Sequence, residues 1–167
     1  KFTRAIRYYR YKLFPRNQRS FPVSLSIFLG VWIGVMPTIG IAIALTILVC
    51  KILRLPIVPG ITSSFIANPA TQFPLFYPGG YAIGTAIINP PEFEFLSIFQ
   101  QISQGFSITE LSTYGETLKA FASLATKNTE HFMSFMVGMT ILATVIGGIC
   151  FFLSLYYMEN VKNKRIS

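Results

Sequence analysis

The sequence predicts an all-α integral membrane protein with few transmembrane helices, in which some segments are broken by proline and glycine and are re-entrant. Of its 167 residues, 52% are hydrophobic and only 12% are charged, whereas soluble domains carry roughly 25% charged residues. Residues 20–50, 55–91 and 132–158 contain no charged residue and no histidine. Prolines and glycines interrupt the first two of these runs, although a continuous helix avoids them.

The N-terminal residues 1–19 are predicted to be a basic amphipathic segment at the membrane interface. On a helix, Phe2, Ile6, Tyr9 and Leu13 share one face, which is typical of an in-plane anchor. A plain topogenic flank without a helix is the alternative. The segment carries seven cations, Lys1, Arg4, Arg7, Arg10, Lys12, Arg16 and Arg19.

Residues 20–50 form the first broken segment of the predicted membrane domain, which spans 20–160. As one helix this run would extend ~45 Å, against a hydrocarbon core of ~30 Å. Pro37, between Gly34 and Gly40, divides it into two arms. Two arrangements remain: a kinked, tilted span, or a re-entrant hairpin with its tip at Pro37. The hairpin returns Lys51 and Arg54 to the cytoplasmic face, whereas the kinked span places them on the other side of the membrane.

Residues 55–91 form the second broken segment, with prolines at six internal or terminal points besides the dipeptide Asn68-Pro69. A pair of half-helices fits this run better than one rod. Non-helical backbone at membrane depth persists only where protein buries it or where it lines a water-filled cavity.

Residues 92–130 are predicted to be a non-cytoplasmic loop with short amphipathic helices, because this part of the chain holds most of the acidic residues. The stretches SITE and TYGE within it match the capping box of a helix N-terminus. Residues 131–160 are the predicted final transmembrane helix, and 161–167 a basic cytoplasmic tail. Cations flank both ends of the chain, so the positive-inside rule predicts that both termini are cytoplasmic.

The breaks supply the candidate substrate or packing site. In one interpretation the stretch FIANPAT is an unwound turn. Its free carbonyls, the Asn68 amide and the Thr71 hydroxyl then form a polar site at membrane depth, which is typical of transporters. In the other, the same groups only cap and satisfy a break in a helix. The candidates are Pro37, Thr38, Asn68, Pro69 and Thr71, with Lys51 and Arg54 at the edge of the site.

Small residues four positions apart predict close helix contacts, since they let two backbones approach each other. The contacts can be formed within one chain or between chains. The pairs are Gly30 with Gly34, Gly80 with Gly84, and Ala143 with Gly147.

Catalytic chemistry is not expected, because the sequence shows no inward-facing carboxylate pair, no nucleophile with its base and no metal-ligand cluster. We therefore expect no enzyme activity, no cofactor and no metal. His131, the only histidine, is expected to be an interfacial residue at a helix end, and Cys50 and Cys150 to be unpaired. The net charge is +8, and the basic residues flank the predicted membrane segments. This placement favours anionic lipid head groups over nucleic acid as the partner.

The stretches FLGVWIGVMPTIGIAIALTILVCKILRL, FIANPATQFPLF and GGYAIG resemble the bacterial membrane family catalogued as domain of unknown function 2062. The similarity covers about residues 20–160 and includes the elements G-x-x-P-x-x-G and N-P-x-T. The chain departs from the family in having Leu55-Pro56 after Arg54, where an asparagine is often found. The resemblance implies a multi-pass inner-membrane protein, in other chains joined to glycosyltransferase domains, and implies no activity.

Two functions follow as hypotheses. The first is a non-enzymatic accessory, scaffold or oligomer-forming subunit of the bacterial inner or internal membrane, which acts through close helix packing. It would form a homo-oligomer or belong to a membrane complex. The alternative is a small carrier or scramblase for a lipid-like or polyprenyl-linked substrate, which would use the broken-helix site.

Overall fold

The computed structural model describes residues 19–38, 41–65, 75–90 and 129–163, and every regular element in these ranges is helical. The predicted all-α class is thereby confirmed for these ranges. The interfacial segment up to residue 18, the loop 91–128 and the tail 164–167 lie outside them. The helices are α1 (Ser20–Val35), α2 (Ala42–Ile52), α3 (Ile57–Ser64), α4 (Tyr77–Ile88) and α5 (Thr129–Asn163).

Within the described ranges, α5 is the helix that is long and apolar enough to cross a membrane, over Thr129–Asn160. These 32 residues would extend ~48 Å at 1.5 Å per residue, beyond the ~30 Å of a hydrocarbon core. Only 22% of its most apolar window is buried within the chain. Helices α1 and α2 are also apolar, but they are too short to cross alone.

Prolines, and residues with a left-handed backbone conformation, determine where the helices end. Helix α1 ends at Val35, two residues before Pro37, because proline disfavours a helical conformation in the residue that precedes it. Helix α3 tolerates Pro59 because the amide groups of a first turn have no helical acceptor. Helix α4 ends at Asn89, whose φ of 48° is left-handed and which precedes Pro90.

The described residues fall into two compact units. Unit 1 consists of 19–34, 41–65 and 144–163, and unit 2 of 35–38, 75–90 and 129–143. In unit 1, helices α2 and α3 form a hairpin, and α1 runs parallel to α3. The parallel direction follows from the contacts of Ser26 with Pro56 and of Gly30 with Gly60, which advance together along both helices.

The C-terminal part of α5 packs antiparallel against α1 in unit 1. The rings of Phe21 and Phe151 form an edge-on pair with centroids 5.8 Å apart. Further along α1, the Trp32 indole donates a hydrogen bond of 3.2 Å to the Thr144 hydroxyl. These contacts place Phe151 of α5 beside the beginning of α1.

Unit 2 is built from α4 and the first part of α5, which also run antiparallel. Tyr77 and Phe135 are both fully buried, and their rings meet edge-on with centroids 5.5 Å apart. The buried His131 accepts or donates a 3.0 Å hydrogen bond with the Tyr81 hydroxyl through its Nδ1. His131 therefore lies at a helix end, as the sequence predicts, and is buried and hydrogen-bonded there.

Arg54 adopts a left-handed backbone conformation at the end of α2, with φ 54°. This conformation costs an L-residue roughly 1–2 kcal/mol, whereas glycine adopts it freely but loses more entropy on folding. We expect Arg54→Gly to raise the free energy of unfolding by about 0.5–1 kcal/mol, measured by denaturation in detergent.

Leu53→Gly is the matched control, because the neighbouring Leu53 has φ −82° and is 52% exposed. It should lower the free energy of unfolding by about 0.5–1 kcal/mol through chain entropy alone. Equal destabilisation by both variants would contradict the proposed strain at Arg54.

Candidate functional site

Glycines bring two pairs of helices into backbone contact, one pair in each unit. The first glycine interface, between α1 and α3 in unit 1, is formed by Gly30, Gly34 and Gly60. The second, between α4 and α5 in unit 2, is formed by Gly80, Gly84 and Gly138. At each of these positions a side chain would meet atoms of the facing helix or its neighbours.

The first glycine interface leaves no room for side chains on α1. A Cβ on Gly30 would collide with the carbonyl oxygen of Gly60 and with the Ser63 hydroxyl. One turn later, a Cβ on Gly34 would lie 2.6 Å from the carbonyl oxygen of Ser64. The two backbones therefore touch over more than one helical turn.

Helix α2 closes the same interface from a third side. A Cβ on Gly60 would lie 2.8 Å from the Ser26 hydroxyl, 2.9 Å from the Cys50 sulfur and 3.2 Å from a Thr46 methyl carbon. Cys50 and Thr46 are fully buried. Gly60 thus lies where α1, α2 and α3 converge.

The buried hydroxyls of this interface are satisfied by nearby carbonyl oxygens. Thr46 donates to Ala42 at 2.8 Å, and Ser63 donates to Gly60 at 2.9 Å. Ser26 donates to the Pro56 carbonyl at 2.5 Å and so ties α1 to the turn before α3. Because each hydroxyl has a protein acceptor, none of these groups requires water.

The second glycine interface has the same character. A Cβ on Gly84 would collide with the Ser134 carbonyl oxygen, and a Cβ on Gly138 would collide with the Gly80 carbonyl oxygen. Met139 lies against Gly80 and is fully buried. The helices of unit 2 therefore also meet backbone to backbone.

The third predicted small-residue pair divides between the two units. Ala143 is fully buried in unit 2. Gly147 belongs to unit 1, where an added Cβ would lie 3.0 Å from the Phe28 ring.

The candidate polar site is described only in part. Asn68, Pro69 and Thr71 lie outside the described residues, so their juxtaposition with Thr38 stays a prediction. Pro37 and Thr38 are half-buried. The Thr38 amide donates to the Met36 carbonyl at 2.7 Å, which closes a tight turn after α1.

Lys51 and Arg54 are exposed at the turn between α2 and α3. The amide of Leu55 donates to the Cys50 carbonyl at 2.8 Å, and that of Arg54 to the Lys51 carbonyl at 3.2 Å. These bonds cover the last carbonyls of α2, and the two cations lie where the helix dipole is negative.

The chemistry-bearing side chains of the described ranges do not form a reactive cluster. Cys50 and Cys150 are free thiols, and the Cys50 sulfur lies 3.5 Å from the Ser26 hydroxyl. No three His, Cys, Asp or Glu residues among those described lie close enough together to hold a metal ion.

Sequence reasoning missed Gly60, Ser64, Ser134 and Gly138, which supply the facing surfaces of the two interfaces. The same four-residue spacing that singled out the pairs on α1 and α4 also relates Gly60 to Ser64 and Ser134 to Gly138. The signal was present, but spacing alone does not tell which small residues face one another.

A comparison with protein families matches residues 3–167 to the family described as "Uncharacterized protein conserved in bacteria (DUF2062)". The match covers nearly the whole chain and confirms the resemblance seen in the sequence. No curated protein and no solved structure matches the chain.

Replacement of one interface glycine tests this packing. We expect Gly30→Ala to lower the free energy of unfolding by about 1–3 kcal/mol, because its Cβ must displace backbone atoms of α3. Denaturation in detergent measures the change.

Gly148→Ala is the matched control, since a Cβ at Gly148 would meet nothing within 4 Å. This variant should be neutral or should stabilise α5 by up to about 1 kcal/mol, because alanine is the better helix former. If Gly30→Ala behaves like Gly148→Ala, the close approach of α1 and α3 is wrong.

Proposed function

The chain belongs to the DUF2062 family of bacteria, and we propose that it is a non-enzymatic, multi-pass protein of the bacterial inner or internal membrane. In this proposal it acts as an accessory, scaffold or oligomer-forming subunit through close helix packing. The first glycine interface, at which two helices touch without side chains between them, is the observation that carries the proposal.

Exposed apolar side chains support a membrane location. On α5, an exposed face consists of Val145, Ile149, Phe152, Leu153 and Tyr156, which are all at least half exposed. Monomeric soluble proteins rarely expose contiguous apolar patches of more than a few hundred Å². In a bilayer the same face would contact acyl chains or a neighbouring helix.

The geometry of unit 1 supports the re-entrant hairpin over the kinked span. Helix α1 runs parallel to α3, with which α2 forms a hairpin, and Ser26 near the middle of α1 lies 3.5 Å from Cys50 in the last turn of α2. Helices α1 and α2 are therefore antiparallel, and Lys51 returns to the end of unit 1 where α1 begins. With 16 and 11 residues, these helices are ~24 and ~16 Å long, so each is shorter than the ~30 Å hydrocarbon core.

The charge distribution supports cytoplasmic termini in this arrangement. Arg19, Lys51 and Arg54 lie at the end of unit 1 toward which α5 runs, and the last residues of the sequence add three further cations. A single cytoplasmic face for all of them agrees with the positive-inside rule.

Packing in the first glycine interface favours a scaffold over a carrier. A substrate path needs volume and polar groups free to bind, whereas here a single methyl group has no space at Gly30. The hydroxyls of Ser26, Thr46 and Ser63 already donate to protein carbonyls. A carrier would instead need a polar groove from Thr38 to Asn68 and Thr71, the last two of which lie outside the described residues.

Native mass spectrometry of the gently solubilised protein tests the proposal. We expect the wild type to appear as a defined oligomer, or in a fixed ratio with another membrane polypeptide. We expect Gly148→Leu to weaken that assembly at least tenfold. A side chain at Gly148 meets nothing within 4 Å in the single chain, so it would project into the proposed contact between α5 and a neighbouring subunit. The unfolding midpoint of the variant monomer should not change, and Gly148→Ala serves as the small-residue control.

An Asn68→Ala variant provides the opposing outcome in the same measurement. A wild-type monomer that retains one specific polyprenyl-linked or lipid species, lost from folded Asn68→Ala, would refute the scaffold and establish the carrier. A scaffold predicts that Asn68→Ala changes stability without removing a specific lipid.

A further inference from the structure

Residues 51–58, which include the turn between α2 and α3, carry two cations that no acidic group among the described residues neutralises; we call this segment the basic turn. Lys51 and Arg54 are both exposed. The sequence contains no Asp, and its first Glu is Glu92. Within the described residues, neither Lys51 nor Arg54 forms an ion pair. Two positive charges therefore remain available to an external anion.

Exposed aliphatic side chains stand next to these cations. Ile52 is 68% exposed and Leu53 is 52% exposed, and Ile57 and Val58 extend the apolar surface into the first turn of α3. Phosphate in water would gain nothing from such neighbours. A lipid surface offers both partners at once, because head-group phosphates lie directly above acyl chains.

Another cation lies at the same end of unit 1 as the basic turn. The contacts of Ser26 with Pro56 and Cys50 place the turn at the end where α1 begins. The exposed Arg19 lies at this end, and six more cations precede it in the sequence. Arg19, Lys51 and Arg54 thus contribute positive charge at one end of the unit.

The backbone at Arg54 favours a different residue. Its left-handed φ of 54° is the conformation for which glycine or asparagine is preferred at the end of a helix. The sequence nevertheless supplies a guanidinium, which forms two parallel hydrogen bonds with a phosphate group more readily than an ammonium does.

We propose that the basic turn docks on anionic phospholipid, with Lys51 and Arg54 at the head-group phosphates and Ile52 and Leu53 among the outermost acyl carbons. This inference rests on the membrane location given in the proposed function, but it does not depend on the scaffold role. It makes the α2–α3 hairpin an anchor that fixes the depth of unit 1 at the anionic face.

Lipid titration followed by native mass spectrometry tests the anchor. The full chain in detergent is titrated with phosphatidylglycerol and, separately, with phosphatidylcholine of the same acyl chains. We expect the wild type to prefer phosphatidylglycerol, and Lys51→Gln with Arg54→Gly to reduce this preference by roughly fivefold for each charge removed. Arg54→Gly relieves backbone strain, so the loss cannot be attributed to unfolding.

Matched charge removal elsewhere is the control. Lys119→Gln with Lys127→Gln removes the same charge from the segment predicted to face the other side, and it should leave the preference unchanged. The wild type should also keep phosphatidylglycerol in the presence of excess inorganic phosphate, because the aliphatic contacts hold the lipid.

Three results would overturn the inference. The preference could persist in the Lys51/Arg54 double variant, it could fall equally in the control, or inorganic phosphate could displace the lipid completely. In each case a persisting oligomer would leave the proposed function intact. A chain that stays dispersed in water after detergent and lipid are removed would instead refute the membrane location and the proposed function with it.

Discussion

The close approach of α1 to α3 is the constraint on which the rest of unit 1 depends. The Gly60 carbonyl occupies the space that a side chain on Gly30 would need, so the two helices meet at backbone distance. In lipid, burial of apolar surface provides no driving force between helices, and association depends on van der Waals packing and hydrogen bonds. Glycine allows close van der Waals packing because it has no side chain, and Ser26 provides a hydrogen bond by donating to the Pro56 carbonyl.

Broken helices create a second problem, because each unsatisfied amide or carbonyl group costs several kcal/mol in hydrocarbon. The α2–α3 turn solves it locally. Leu53 and Leu55 donate their amides to Val49 and Cys50, and the Pro56 carbonyl accepts from Ser26. This turn lies at head-group level in the proposed arrangement, and its bonded backbone groups need no water-filled cavity.

Local chemistry made part of this fold predictable from sequence. Pro37 predicts the end of α1 because proline acts on the residue before it, and the charge-free run after His131 predicts α5 because its length and hydrophobicity suffice. Asn89, which ends α4 in a left-handed conformation, is a residue type that tolerates it. These features depend on neighbours within a few positions along the chain.

Features that depend on distant parts of the chain were not predictable. Nothing in the sequence aligns Gly30 with Gly60 rather than with Gly84, since that choice rests on the parallel direction of α1 and α3. The burial of His131 against Tyr81 was not predictable because the two residues lie fifty positions apart. Arg54 gave no sign of its left-handed backbone, which arises from closure of the turn. The site residues Asn68, Pro69 and Thr71 stay predictions because they lie outside the described residues.

The reversal of the chain between α1 and α2 is the central claim, and cysteine labelling from each side of the membrane tests it most directly. Lys51→Cys and Asn163→Cys would be introduced singly into a chain in which Cys50 and Cys150 are replaced by alanine, with Ser112→Cys as a marker for the opposite side. The hairpin predicts that positions 51 and 163 react with an impermeant reagent from the cytoplasmic side only, and position 112 from the other side. Reaction of position 51 from the side of position 112 would contradict the hairpin and establish a kinked span.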